Sequence, residues 1–144
     1  MNSVVVPIEE GGGAGWMADH VIGLYRRQPL RVYLLNVRQP LAQYVARFIA
    51  KAELEAFHQE NGMRALKPAA DKLDACGVPH WDMVLVGQKA ESIVGFARDH
   101  HCSQIILPRP AAGALAYFGL GSIGSQIRHL IGTAGESCGV SEVY

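Results

Sequence analysis

Short runs of consecutive apolar residues alternate along the chain with longer segments in which apolar residues recur every three or four positions. A continuous run rich in β-branched residues is typical of a strand buried on both faces, whereas the longer period is typical of a helix with one buried face. The runs predict strands over 3–8, 31–37, 81–86 and 104–107, and a weak fifth strand over 138–144.

Helical periodicity follows each of the four clear strands. The longest periodic segment contains Gly62 and Pro68, which favour either a break near Gly62 or a helix whose first turn holds Pro68. The predicted helices cover 16–27, 41–50, 52–76, 91–101 and 122–131. Within 52–76 the expected inward positions are Leu54, Phe57, Met63, Leu66 and Leu73.

The alternation of strands and helices predicts an α/β fold. Successive right-handed βαβ units build an open parallel sheet, here five-stranded and Rossmann-like, with helices on both faces. We expect one domain over residues 1–144, because the chain is too short for two full domains. A ligand of such a sheet would lie beyond the carboxyl ends of the strands.

Composition narrows the class of protein. Thirteen basic and thirteen acidic side chains cancel, so the chain lacks the basic surface that a nucleic-acid partner requires. No stretch reaches the roughly 18 apolar residues of a membrane span, and the first residues lack a signal-peptide pattern. The cysteines Cys76, Cys102 and Cys138 form no CxxC pair and are expected as free thiols, with Cys76 and Cys138 packed as small hydrophobes. We therefore expect a cytoplasmic protein without a membrane or nucleic-acid partner.

Two other motifs carry little chemistry. The segment 119–124 spells GxGxxG, but it lies near the carboxyl end of the sequence rather than after a first strand, so it does not indicate a dinucleotide site. No P-loop sequence is present.

The residues at 100–102 are His100, His101 and Cys102. They would point in different directions on a helix, which disfavours a shared metal ion. The histidine pair fits a helix end better, and no metal site is expected.

The whole pattern resembles the universal stress protein family across essentially the full chain. The resemblance rests on VVVPIEE over 4–10, LLNV over 34–37, the Val86-Gly87 pair followed by AESI over 90–93, QIIL over 104–107, and Gly121-Ser122-Ile123. No one of these motifs is specific, but their order and spacing together are. The resemblance implies a sheet of the adenine-nucleotide alpha-hydrolase type.

The ATP-binding members of that family carry a glycine motif that is altered here. Their pattern is a glycine, a second glycine three residues on, and a Gly-Ser or Gly-Thr ten further along. Counted back from Gly121, the two glycine positions hold Pro108 and Ala111. A phosphate site relies on backbone N–H groups and close backbone approach, whereas proline has no N–H and alanine resists positive φ. Glu9, one methylene longer, stands where the family has aspartate.

The resemblance nevertheless implies where a nucleotide would lie. Val37 would be near an adenine, Arg109 could supply a charge to a phosphate, and Gly121-Ser122 would begin the last helix. The simpler interpretation of Gly121-Ser122 is a turn and helix cap, since serine is a preferred N-cap. The candidate nucleotide residues are Pro7, Ile8, Glu9, Val37, Leu107, Arg109, Gly121, Ser122 and Ile123.

Three hypotheses for function follow. The leading one is a non-enzymatic stress-response protein that acts through binding and dimerisation, with weak or no ATP binding and no required cofactor. The alternative is an ATP- or AMP-binding regulator that uses the altered loop 107–123. The third is an adenine-nucleotide hydrolase, but no nucleophile, base and oxyanion site can be assembled from the sequence. The resemblance also implies a homodimer formed by pairing the final strands, although 138–144 is poor strand material.

Overall fold

The computed structural model describes residues 1–9, 14–108, 123–134 and 138–143. Its sheet has five strands in the order β3-β2-β1-β4-β5, and every neighbouring pair is parallel. This confirms the predicted α/β sheet, including the weak fifth strand. The strands are β1 Asn2–Pro7, β2 Leu30–Arg38, β3 His80–Val86, β4 Gln104–Pro108 and β5 Gly139–Val143.

Helices cover both faces of the sheet and give it two separate cores. One core joins α1 and α3 to side chains such as Val6 and Leu34, and the other joins α4 and α5 to Val5 and Leu35. Adjacent residues of a strand point to opposite faces, so a run such as Val4-Val5-Val6 supplies both cores. The described helices are α1 Ala14–Arg27, α2 Gln43–Ala46, α3 Lys51–Ala75, α4 Lys89–Asp99 and α5 Ile123–Ala134.

The helical segment after β2 differs from its prediction. The segment 41–50 forms only the four-residue α2, because none of its residues is buried and Ala50 is extended, with φ −62° and ψ 142°. The following α3 runs unbroken through Gly62 and Pro68, so both predicted interruptions were wrong. Pro68 is exposed, and packing of the same helix against α1, β2 and β3 outweighs the one hydrogen bond that it removes.

Close packing explains Gly62. A Cβ atom placed on Gly62 would lie 2.5 Å from Val84 Cγ1 and 2.6 Å from Val84 Cγ2, which is less than carbon atoms tolerate. The glycine therefore marks a point of close approach between α3 and β3, not a helix break.

Two burial predictions were wrong. Phe57 is 45% exposed rather than inward, and Cys76 is exposed rather than packed, whereas Leu66 and Leu73 are fully buried as expected. Helical spacing identifies a face, but the sheet beneath α3 covers only part of that face. Among the described helices, none has the length and hydrophobicity needed to cross a membrane.

Candidate functional site

The carboxyl ends of β1, β2 and β4 bring several of the candidate residues to one edge of the sheet. Pro7 is the last residue of β1, and Ile8 continues alongside β2 through a hydrogen bond from its N–H to the Leu35 carbonyl at 2.8 Å. Leu107 lies near the end of β4, the other neighbour of β1. This is the edge at which open parallel sheets bind ligands.

Asn36 fixes the chain just before Glu9. It is 96% buried, and its Nδ2 donates a hydrogen bond to the Ile8 carbonyl at 2.7 Å. Its Oδ1 is also buried and has no hydrogen-bond partner in the described part of the chain. Sequence reasoning missed Asn36, although an amide inside the otherwise apolar run of β2 was the available signal.

Glu9, the residue at the family's aspartate position, is engaged by a cation. Lys89 Nζ lies 2.6 Å from Glu9 Oε1, which joins the start of α4 to the segment after β1. The Glu9 side chain is 57% exposed, so solvent screens the pair. The Glu9 carboxylate therefore already has a cationic partner. A carboxylate that binds a ribose hydroxyl would have to give up such a partner.

Three other candidates belong to the core beneath α4 and α5. Val37 and Leu107 are buried, and Ile123, the first residue of α5, packs against the same core. The side chains of Val37 and Leu107 are already covered, so a ligand at the carboxyl edge would meet the backbone atoms of these two residues.

The structure describes only part of the segment 107–123, which holds the altered glycine motif. Pro108 ends β4, where its backbone pairs with Val143 of β5. Arg109, Ala111, Gly121 and Ser122 lie outside the described residues. The GxGxxG segment 119–124 falls outside them for its first four positions.

The histidine pair lies at the end of α4, as the sequence predicted. His100 caps the helix, and its Nδ1–H donates a hydrogen bond to the Phe96 carbonyl at 3.0 Å. Its ring also stacks on Phe96, with 3.9 Å between the ring centroids. Within the described ranges, no cluster of His, Cys, Asp or Glu side chains is arranged to hold a metal ion.

A cluster of ionisable groups that the sequence did not reveal lies at the amino end of β3, whereas the candidate site lies at the carboxyl ends of the strands. His80 Nδ1 is 2.6 Å from Asp82 Oδ1, and His80 Nε2 is 2.7 Å from Asp74 Oδ1. Carboxylates only accept hydrogen bonds, so this geometry favours an imidazole that is protonated on both ring nitrogens, which is its cationic form. Burial opposes the charge, but hydrogen bonds to Asp74 and Asp82 outweigh it and raise the pKa of His80. The cluster ties the end of α3 to the start of β3, far from the candidate site.

Comparisons with solved structures agree with this architecture. Hypothetical protein MJ0577 superposes with a TM-score of 0.73 and 22% sequence identity, over 99% of this chain and 94% of that one. A universal stress protein in complex with cAMP gives a TM-score of 0.66 and 16% identity, over 99% and 96% of the two chains. The universal stress protein from Archaeoglobus fulgidus in complex with dAMP gives 0.65 and 14%, over 100% and 98%.

The family of the chain is shown by its sequence rather than by its fold alone. No curated protein matches the chain. The model of the universal stress protein family matches residues 1–131, which include β1 to β4 and most of α5. With the order of motifs and the parallel sheet, this match establishes that the chain belongs to the universal stress protein family.

Proposed function

We propose that this chain is a non-enzymatic stress-response protein that acts through binding and dimerisation and binds ATP weakly or not at all. The observation that carries the proposal is the ion pair between Glu9 and Lys89, with 2.6 Å between Oε1 and Nζ. It occupies the carboxylate at the position where nucleotide-binding relatives have aspartate. A nucleotide would have to displace Lys89 before Glu9 could accept a hydrogen bond from a ribose hydroxyl.

The chemistry of the loop after β4 supports weak ATP binding independently. Pro108 supplies no N–H to a phosphate, and Ala111 carries a Cβ where relatives have glycine. A triphosphate depends on several backbone N–H donors and on close approach of the backbone. Losing both glycines removes part of that set.

Dimerisation is supported by the position of β5. It is an edge strand that pairs with β4 on one side, and its other side is the rim of the sheet. An edge strand presents unpaired backbone groups to a second chain. We propose a homodimer through β5, with an interface limited by the five-residue length of that strand.

An ATP- or AMP-binding regulator is the alternative, and the structural neighbours give it one specific support. Two of them were solved with nucleoside monophosphates, cAMP and dAMP. A monophosphate needs fewer phosphate contacts than ATP does, so the altered loop costs it less. The alternative therefore predicts AMP binding that is at least as tight as ATP binding.

One experiment separates the two functions. The purified protein is denatured and its supernatant analysed for adenine nucleotide, and the native protein is titrated with magnesium-ATP and with AMP by calorimetry. The leading proposal expects no retained nucleotide and a dissociation constant for ATP above about 0.1 mM, which corresponds to about −5.5 kcal/mol. Micromolar ATP binding would refute it, and micromolar AMP binding alone would establish the alternative.

Two further measurements test the remaining parts of the proposal. Light scattering at about 50 µM should give the mass of a dimer, and a monomer at this concentration would contradict the role of β5.

Phosphate release from ATP should stay at the level of a buffer blank. Turnover that Ser122→Ala abolishes would instead support an enzyme.

A further inference from the structure

Two cysteine thiols lie on the same face of the sheet, where the chain enters β4 and β5. Cys102 comes just before β4, and Cys138 immediately precedes β5. Both contribute to the core beneath α4 and α5, and both are thiols in the structure. The third thiol, Cys76, is exposed at the end of α3, which covers the opposite face of the sheet. The fold therefore brings together two cysteines that are distant in sequence and keeps the third apart from them.

The pairing of β4 with β5 sets the distance between these two cysteines. Gly139 is the partner of Gln104 in the parallel register, and the Gly139 N–H donates a hydrogen bond to the Ser103 carbonyl at 2.9 Å. Cys138 is therefore opposite Ser103 and diagonal to Cys102. Neighbouring strands lie about 4.8 Å apart and each residue rises about 3.3 Å, which puts the two cysteine Cα atoms about 6 Å apart. Disulfides usually join Cα atoms about 4.4–6.8 Å apart, so this pair can be bridged without moving the strands.

The side chains of the two cysteines share one core. The chain bends at Ser103, and Cys102 is buried in the same core as Ile105. Cys138 packs against this core together with Val140. Burial and, to a smaller extent, the neighbouring Cys138 raise the pKa of Cys102 to about 11, which agrees with a short distance between the two thiols. Register and packing thus place the two sulfurs beside each other.

The two thiols differ in exposure, which gives them different parts in an oxidation. Cys138 is only partly buried, and its Sγ–H donates a weak hydrogen bond to the Gly139 carbonyl at 3.6 Å. Cys102 is buried, so a reagent in solvent does not reach it directly. A dissolved oxidant therefore meets Cys138 first, and Cys102 then reacts with the modified Cys138 from within the protein.

We propose that Cys102 and Cys138 form a site of reversible oxidation, at which a small dissolved disulfide converts the two thiols into one protein disulfide. The Cys138 thiolate attacks one sulfur of the small disulfide, whose S–S bond breaks as a mixed disulfide forms on Cys138. The thiolate that leaves takes up a proton from solvent. Cys102 then gives its proton to solvent and attacks the Cys138 sulfur, which expels a second small thiolate. Two protein thiols are oxidised, and the small disulfide is reduced to two thiols.

The new bond would tie β5, an edge strand, to the turn before β4. It would also close a loop that contains β4, the altered segment 107–123 and α5. The proposal depends neither on nucleotide binding nor on dimerisation, because the two thiols belong to one chain and lie outside the candidate nucleotide site.

Oxidised glutathione is the probe. The native protein is incubated with an excess of it, the remaining thiols are alkylated, and the digest is mapped by mass spectrometry. A peptide linking Cys102 to Cys138 should exceed all links to Cys76 by at least about tenfold and should disappear on reduction with dithiothreitol. Oxidation in concentrated urea removes the native geometry and should remove this preference. An equal preference in urea, a predominance of links to Cys76, or a Cys138 link between two chains would overturn the proposal.

Variants separate the two steps. Cys102→Ser should stop the reaction after its first step and leave glutathione on Cys138, whereas Cys138→Ser should leave the buried Cys102 as a thiol. Cys76→Ser, a change at an exposed residue, is the matched control and should form the same linked peptide as the wild type. It decides the matter if either of the other variants fails to fold. Glutathione that stays on Cys138 of Cys76→Ser without forming the link, or glutathione on Cys102 of Cys138→Ser, would refute the proposal.

Discussion

Lys89 and Glu9 are 80 residues apart in sequence, yet Lys89 Nζ lies 2.6 Å from Glu9 Oε1. The contact joins the beginning of α4 to the segment that follows β1, across the edge where a nucleotide would be held. Lys89 is 27% exposed and Glu9 57% exposed. Exposed ion pairs contribute little to stability. The main effect of this pair is therefore to neutralise the Glu9 carboxylate at the carboxyl ends of the strands.

Removing the ammonium of this pair should scarcely change stability. For Lys89→Met we expect the free energy of unfolding in urea to fall by about 0.2–1 kcal/mol. Lys67→Met is the matched control, because Lys67 pairs with Asp71 on the exposed face of α3, at 3.1 Å. A loss above about 2 kcal/mol for Lys89→Met alone would show that the pair is structural.

Restoring the family's glycines should restore ATP binding. The double variant Pro108→Gly and Ala111→Gly returns an N–H donor and removes a Cβ at the two positions where relatives have glycine. We expect the affinity for magnesium-ATP to rise at least tenfold, or about 1.4 kcal/mol, by calorimetry. Ala112→Gly, which changes flexibility without restoring the motif, should leave affinity unchanged. If the double variant binds ATP no better, the altered loop is not what limits binding.

Introducing a Cβ at Gly62 should destabilise the protein although alanine favours helices. The added atom would lie 2.5 Å from Val84 Cγ1, so α3 or β3 must shift, at about 1–3 kcal/mol. Gly23→Ala in α1, where nothing lies within 4 Å of the new Cβ, should instead stabilise by about 0.5–1 kcal/mol. Urea unfolding measures both. The double variant Gly62→Ala, Val84→Ala should lose less than the sum of the single changes, and strict additivity would contradict the close contact.

The sequence was sufficient for the order of elements because each strand is a short apolar run buried on both faces, such as Val4-Val5-Val6. That signal is local. The prediction of a helix interruption at Gly62 or Pro68 is also local, and it was wrong because the contacts of α3 with β3 and α1 determine the outcome. Helical spacing also placed Phe57 on the inward face, but the sheet does not extend far enough under α3 to cover it.

The candidate site was predictable only in part. Pro7, Ile8 and Leu107 follow from strand order, because the carboxyl ends of parallel strands share one edge. The contact between Glu9 and Lys89 joins residues 80 apart in sequence, and the contact between His80 and Asp74, outside the candidate site, joins the end of α3 to the start of β3. No spacing in the sequence encodes those contacts, so only the structure reveals them.

The cysteines should differ sharply in reactivity. Cys102 is buried, and burial, with a smaller contribution from Cys138, raises its pKa to about 11. Cys76 is exposed at the end of α3. At about pH 8 a thiol reagent should modify Cys76 within minutes and Cys102 only as fast as the protein opens, because the thiolate is the reactive form. Peptide mapping by mass spectrometry assigns the sites, and Cys76→Ser should lack the fast phase. Rapid labelling of Cys102 in the native protein would contradict its burial.

The cluster of Asp74, His80 and Asp82 should make stability depend on pH. The pKa of His80 is raised in the folded protein, so the folded state holds its proton more tightly than the unfolded state does. The stabilisation is complete below about pH 6.5, the ordinary histidine value, and is lost as the pH rises through the raised pKa. His80→Gln should therefore cost about 1 kcal/mol more at about pH 6 than at about pH 9, as measured by urea unfolding.

His129→Gln, at an exposed position of α5, is the matched control for His80→Gln and should show no such difference. The lowered pKa of His58 acts in the opposite direction, since stability falls when that buried ring must take up a proton at low pH. Its contribution is common to wild type and variant, so it cancels when the two are compared at each pH. A cost of His80→Gln that is equal at both pH values would mean that the two carboxylates do not hold the proton on His80. A greater cost at high pH would reverse the sign and exclude the cationic form altogether.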